Sequence, residues 1–253
     1  MKKAILFLSV FSLLCLNLQA QIRVSGNITA NTTWTKNNTY LLQGFVYVKN
    51  GATLTIEPGT VIKGDKTSRS TLIITRGAKI IADGTKEQPI VFTSGEAAPR
   101  TGDWGGLVLL GRAATNAVFT NAQGVASNGL GAIEGDLNNA AGDGLYGGGD
   151  LPNGPDNNDN SGILRYVRIE YPGVVISQGN EINGLTLGGV GRGTTIDYVQ
   201  VSYSNDDSFE WFGGTVNCSH LIAYRGVDDD FDTDFGYSGN VQFAFAVRDP
   251  NVW

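Results

Sequence analysis

The sequence predicts an all-β protein, a right-handed parallel β-helix whose coils run about 22–26 residues, and three observations carry this. The first is a repeat. Residues 199–225 return at 221–247, so that Asp206-Asp207-Ser208-Phe209-Glu210 comes back as Asp228-Asp229-Asp230-Phe231-Asp232 and Gly214 as Gly236. At the same offset, Val199, Leu221 and Phe243 fall in register, as do Val201, Ala223 and Phe245. The second is an earlier echo at an offset of 26, which sets Leu54 on Ile80 and Ile56 on Ala82. The third is composition. The chain holds 35 glycines, and its apolar stretches are short, rich in Val, Ile, Leu, Phe and Tyr, and separated by Gly, Asn, Asp and Pro. Short strands between tight turns are what such punctuation specifies. A period of about 20–50 residues marks a solenoid, and a propeller blade would need about 40.

Taken in order, the chain opens with Lys2 and Lys3, an apolar run over residues 4–18, and Ala20. This is the pattern of a signal peptide over residues 1–20, because the run is shorter than the roughly 20 residues a bilayer requires. Cys15 lies inside that run, with Ser12 and Leu14 where a lipoprotein signal would need a leucine and a small residue. Residues 21–45 read as an N-terminal cap, with Trp34 and Tyr40 as lids over the open core. Solenoid ends need such caps. Residues 46–253 read as the β-helix. Strands are expected around 54–56, 61–62, 72–74, 80–82, 90–92 and 107–110. A long, irregular, glycine-rich excursion then occupies residues 112–160 before rungs resume at Leu164. An offset of 32 aligns Val167, Ile169 and Tyr171 with Val199, Val201 and Tyr203, which is a rung carrying an insertion.

Charge and cysteine content exclude several classes. The formal net charge is −6, which disfavours nucleic acid as a partner and suits a cation binder. After cleavage only Cys218 would remain, so disulfides do not staple this fold. Cys218 reads as a small core residue and His220 as a surface residue rather than a catalytic pair. Zinc needs more Cys and His than the chain owns. No later segment is long and apolar enough to span a membrane.

If the rungs stack in parallel about 4.8 Å apart, Asp206 lies on Asp228, Asp207 on Asp229 and Glu210 on Asp232. Two unit charges at that spacing repel by about 3 kcal/mol at an effective dielectric near 20. Three forms of relief are open: a hard cation such as Ca²⁺ bridging the acids, raised pKa values as in catalytic pairs, or side chains fanned into solvent and turn hydrogen bonds. The metal candidates are therefore Asp206, Asp207, Glu210, Asp228, Asp229 and Asp232. Asp156 and Asp159 join them because residues 156–162 begin like a calcium loop, although no glycine stands sixth and Val167 holds the twelfth place.

A resemblance enters on four motifs: residues 51–60 (GATLTIEPGT), Asp103-Trp104-Gly105-Gly106-Leu107, Asp159-Asn160-Ser161-Gly162 with residues 165–171 (RYVRIEY), and Asp206-Asp207 with Glu210-Trp211-Phe212-Gly213-Gly214. Together these resemble the large exported parallel β-helix proteins of Bacteroidetes-type bacteria, often cargo of the type IX secretion system and mostly without an established activity. The resemblance implies export to the outer surface or beyond. The sequence stops at Trp253 straight after a strand, without a sorting domain, which reads as a truncated C-terminus.

Two functions follow as expectations. The first is a non-catalytic secreted or cell-surface structural or adhesin-like protein, cation-stabilised, contacting an extracellular polysaccharide or another cell-surface ligand. Trp104, Tyr203, Trp211 and Tyr224 are its aromatic candidates. The second is a polysaccharide-active enzyme of the pectin hydrolase or lyase type, which would use Asp206, Asp207, Asp228, Asp229 and the basic Arg225. Asp206-Asp207 resembles the paired aspartates of polygalacturonase-type hydrolases, although the Gly-His-Gly and Arg-Ile-Lys companions of that family are not recognisable here.

Overall fold

The computed structural model describes residues 20–251. The expected signal peptide, Ala20 apart, and Trp253 lie outside them. The chain winds into three parallel strand faces that enclose one apolar interior. Face 1 is built from Thr32–Trp34, Thr53–Ile56, Lys79–Asp83 and the first parts of Gly162–Glu170, Thr195–Ser202, Cys218–Tyr224 and Val241–Val247. Face 2 contains the first half of Asn38–Val48, then Val61–Gly64, Ile90–Ser94 and the second parts of the same four long strands. Face 3 runs from the second half of Asn38–Val48 through Thr71–Ile74, Gly106–Leu110, Leu185–Gly188 and Phe209–Phe212 to Phe231–Asp234.

Inside, like side chains stack rung upon rung. On face 2 the inward column is Tyr40, Ile62, Phe92, Ile169, Val201, Ala223 and Ala246. On face 3 it is Val46, Leu72, Leu107, Leu185, Phe209 and Phe231. These columns supply the apolar burial that holds the coil together, at roughly 25 cal/mol per Å² removed from water. Several glycines sit where a neighbouring backbone comes too close for a side chain. At Gly162 a Cβ would lie 1.8 Å from the Ile80 carbonyl oxygen, and φ is +117°, so no other residue fits.

The offsets of 26 and 32 hold: Leu54 pairs with Ile80, Ile56 with Ala82, Val167 with Val199 and Ile169 with Val201. At the last rung the offset of 22 fails for the strand. Leu221 pairs with Ala244 and Ala223 with Ala246, not with Phe243 and Phe245. One extra residue enters before Phe243, which takes the corner position in place of the inward one. The side-chain period of two then sends both phenylalanines outward, where Phe243 is 70% and Phe245 62% exposed.

Two further expectations are corrected. Residues 21–45 are not a separate cap: Ala20–Ile28 already pairs in parallel with Asn38–Val48 as a rung of the coil. Trp34 and Tyr40 stack with ring centroids 4.8 Å apart inside the core. Nor is the excursion irregular. Val118–Thr120, Ala126–Asn128, Leu130–Ala132 and Leu145–Gly147 form a four-stranded sheet. Its Ile133, Leu137 and Tyr146 pack with Tyr47, Ile73, Val108, Leu110 and Phe212 into a second apolar cluster. Face 3 is therefore covered on both sides in its middle rungs, as the unbroken apolar run of residues 107–110 requires. A short hairpin, Val175–Ser177 with Asn180–Glu181, rises beside it.

Several motif residues serve this architecture. Trp104 and Trp211 are fully buried, so neither is free to stack on a sugar. Trp104 donates from Nε1 to the Glu170 carbonyl at 2.8 Å and stacks on Phe92. Beside it, buried Asp103 accepts from Ser94 at 2.6 Å and from the Arg100 amide, and pairs with Lys66 at 2.9 Å. Burial raises the Asp103 pKa, but these partners outweigh it and hold the carboxyl below its usual range. Tyr203 stacks on Tyr171 at 5.1 Å, and Tyr224 packs edge-on against Tyr203.

Candidate metal centre

The outward positions of face 3 stay in register as the chain climbs: Val108, Thr186, Glu210, Asp232. Val108 is sealed under the excursion. From Thr186 onward the column becomes polar, and the turn that precedes Phe209–Phe212 adds Asp206 and Asp207. That turn is tied down on both sides. The Asp207 carbonyl accepts from the Ser204 hydroxyl at 2.9 Å and from the Gly184 amide at 2.8 Å, and its Oδ1 accepts from the Asp229 amide at 2.8 Å. Phe209 and Phe231 stack at 5.4 Å beneath, which fixes the direction of the carboxylates above.

Two acidic trios result. Asp206, Asp207 and Asp228 can each bring one carboxylate oxygen within 4.8 Å of the others, and so can Asp207, Glu210 and Asp232. Asp207 belongs to both. Four further groups line the same groove: Asp229, Glu134 from the excursion, and Glu181 and Asn183 from the segment around the short hairpin. Asn183 Nδ2 donates to Glu134 Oε1 at 2.8 Å and also to Glu210 Oε2. Asp207 and Glu210 are buried, whereas Asp228 and Asp229 are exposed. Among the described residues, Arg248 reaches Asp229 at 3.9 Å, and no lysine or arginine pairs with Asp206, Asp207, Glu210, Asp228, Asp232 or Glu134.

Desolvation and crowding act together on these acids. Burial, then Glu134, Glu181 and Asp228, push Asp206 up to about 7. Burial, reinforced by Asp206, Asp232 and Asp228, pushes Asp207 up to about 7 against the hydrogen bond from the Asp229 amide. Glu210 is raised further, by burial first and then by Glu134 and Asp207, and Glu134 is raised with it. Two carboxyls this close share a proton.

The donor set is all oxygen, which suits Ca²⁺ and its six to eight ligands rather than a soft or imidazole-seeking ion. One further observation fits. Thr186 Oγ1, buried and directly in register with Glu210, has no hydrogen-bond partner. An orphaned buried hydroxyl is costly, and an oxygen-seeking ion at its side would satisfy it.

Of the ladder residues named from the sequence, Asp206, Asp207, Glu210, Asp228 and Asp232 enter the trios, while Asp229 lines the groove and joins neither. The others do not join them. Asp159 Oδ2 accepts from the Arg112 amide at 3.1 Å, and Asp156 Oδ1 from the Asn158 amide at 2.9 Å, so both shape their own loop away from the trios. Arg225 pairs with Asp249 at 3.5 Å and lies over the Tyr224 ring, outside the groove. Sequence reasoning missed Glu134, Glu181, Asn183 and Thr186, none of which belongs to the repeated motif.

A parallel β-helix with an acidic groove on one outer face is the class these features define. The chain belongs to the pectate-lyase-like β-helix domain family, whose model matches residues 26–251. No curated protein matches it, and no solved structure does.

Proposed function

We propose that this chain is a non-catalytic, calcium-stabilised β-helix of a secreted or cell-surface protein, with outer faces that contact extracellular polysaccharide. One observation carries the cation: Asp207, buried and shared by two acidic trios, faces no lysine or arginine. A bound divalent ion would draw the excursion, through Glu134, onto the ladder of Glu210 and Asp232. The position of Arg225 outside the groove speaks against the lyase alternative, since a basic group that would take a proton has to reach the bound substrate. Titration with Ca²⁺ after chelator treatment, followed by calorimetry and melting, tests this. Binding with a raised melting temperature is expected, and a melting temperature indifferent to Ca²⁺ and chelator would overturn it.

A second reading is favoured by the split among the acids. Glu210 held neutral beside ionisable Asp206 and Asp207 is the environment of a general acid next to a base or nucleophile. Reducing ends released from a glycan panel, and abolished by Asp207→Asn, would establish hydrolysis and displace the first reading.

A further inference from the structure

We propose that the cavity between the inserted excursion and the corner of the coil beneath it is a binding site for a small tetrahedral oxoanion, sulfate or phosphate. It lies at the opposite edge of face 3 from the acidic ladder and does not rest on the function proposed above. Where face 3 turns into face 1, three successive rungs carry a cation within two residues of the strand end: Lys49 after Asn38–Val48, Arg76 after Thr71–Ile74 and Arg112 after Gly106–Leu110. These strands are in register, Val48 on Ile74 and Ile74 on Leu109, so the cations follow one another up the corner. Cations stacked by rung repel as the acids do, and the excursion relieves two of the three. Asp143 pairs with Lys49 at 2.5 Å and is itself held by Asn139 Nδ2, which donates to it at 2.9 Å. Asp150 accepts twice from Arg76, at 2.6 and 3.0 Å, and the Gly147 carbonyl accepts from the same guanidinium at 3.0 Å.

Arg112 is the exception. Asp150 and Asp159 feel its charge, but its guanidinium makes no ion pair and no hydrogen bond among the described residues. Its place is nevertheless built. At Gly77 a Cβ would lie 2.3 Å from Arg112 Nη2, so the bare backbone there makes room for the guanidinium. A half-buried guanidinium without an acceptor has lost hydration and gained no partner for it. All three cations face one cavity of about 380 Å³, closed from the excursion side by Gly142, Asp143 and Leu151. Three cations and one carboxylate line it, and Asp150 behind Arg76 still leaves a positive excess, in a chain of net charge −6. That excess selects an anion. The donors left over select its shape. Lys49 spends one N–H on Asp143 and keeps others, and Arg112 keeps its whole planar fork. They come from different rungs and approach from different directions. A tetrahedral ion can give two oxygens to the fork and still turn others to the ammonium, whereas a carboxylate has only the two.

The test is titration calorimetry at pH 8 in calcium-free buffer of low chloride, with sulfate, inorganic phosphate and acetate titrated separately. Sulfate or phosphate should bind saturably, roughly tenfold or more tighter than acetate, and the two titrations tell which is preferred. Arg112→Gln should weaken that binding by roughly tenfold or more, the worth of a charge-assisted hydrogen bond. Arg112→Lys keeps the charge and loses the fork, so it should weaken binding as well. Neither variant alters the main-chain hydrogen bonds of Arg112 to Asp159 and Asp156, and melting in chloride checks that each folds. Arg168→Gln removes an exposed cation outside the cavity and should bind as the wild type does, as should Asp207→Asn. The proposal is overturned if neither ion binds saturably, if acetate binds equally well, or if Arg112→Gln keeps the wild-type affinity. Should that variant fail to fold, an unchanged affinity in Arg112→Lys overturns it instead. A sulfate-induced rise in melting temperature that is the same in wild type and variants is the general effect of an excluded salt and also overturns it.

Discussion

Replacing Asp207 by Asn changes one charge at the point where both trios meet, and it keeps the oxygen that accepts from the Asp229 amide. Without metal, above pH 7, Asp207 faces Asp206, Asp228, Glu210 and Asp232. Each close pair repels by about 3 kcal/mol at the 4.8 Å limit of the trios, with an effective dielectric near 20. Glu210 is held largely protonated, and the exposed Asp228 is screened by solvent and salt. About 3 kcal/mol of relief is a reasonable net. For a domain of this size each kcal/mol moves the melting temperature by about 2–4 °C, so the metal-free variant should melt roughly 6–12 °C above the metal-free wild type.

Calcium should reverse that order. An ion that binds only the folded state stabilises it by about 2.7 kcal/mol at one hundred times its dissociation constant, and the variant has lost the carboxylate common to both trios. Differential scanning calorimetry at pH 8, in chelator and in millimolar Ca²⁺, reads both effects on the same two proteins. If Asp207→Asn melts at or below the wild type in chelator and keeps the full calcium shift, the acids are relieved by solvent and turn hydrogen bonds, and the cation argument is wrong. Asp156→Asn serves as the contrast: its carboxylate shapes a loop away from the groove, so the calcium shift should persist.

Three other outcomes follow. Because the folded-state pKa values of Asp206 and Asp207 lie at about 7, above the ordinary 3.8, the folded protein binds more protons than the unfolded chain between those values. Their contribution is fully present below about pH 4 and lost as pH rises through about 7, so the chelated protein should melt lower at pH 8 than at pH 5, and Ca²⁺ should abolish the difference; a chelated melting temperature that rises over this interval refutes it. Cys218 is buried, with its thiol pushed up to about 12 by desolvation, so a thiol reagent should label it in denaturant and not in the native state at pH 8. At Gly64 a Cβ would lie 2.4 Å from the Trp104 Cβ, so Gly64→Ala should destabilise by about 1–3 kcal/mol through overpacking, measured by urea unfolding.

The parts of the fold legible in the sequence are those in which one rung copies the next. Parallel stacking makes equivalent residues neighbours, so an offset in the chain becomes a contact in space. That is why Leu54 on Ile80, Val167 on Val199 and Glu210 on Asp232 could be read directly. The same logic misled at Phe243, since one inserted corner residue shifts every following side chain to the opposite surface while leaving the composition of the strand unchanged. It was silent about the excursion. Residues 118–147 repeat nothing, and their short strands are held by packing on Tyr47, Val108 and Phe212, which no local pattern announces.

This division explains why only half of the acidic groove was visible. Repetition places carboxylate above carboxylate, but it does not by itself make them uncomfortable; an acid on a solvated rung is a minor expense. The two copies of the motif show the difference. Asp207 and Glu210 are buried, because Glu134 and Asn183 arrive over them from inserted segments 49 and 27 residues away from Asn183 and Glu210 respectively. Asp228 and Asp229 carry the same motif one rung further and remain exposed. The insertions, not the repeat, convert a row of acids into a desolvated site whose carboxyls are raised above their ordinary range. In this β-helix the rung sets the spacing of the acids and the non-repeating segments supply their burial. A variant such as Glu134→Gln should accordingly weaken calcium binding and loosen the excursion, with faster amide exchange over residues 130–147, while the coil beneath stays protected.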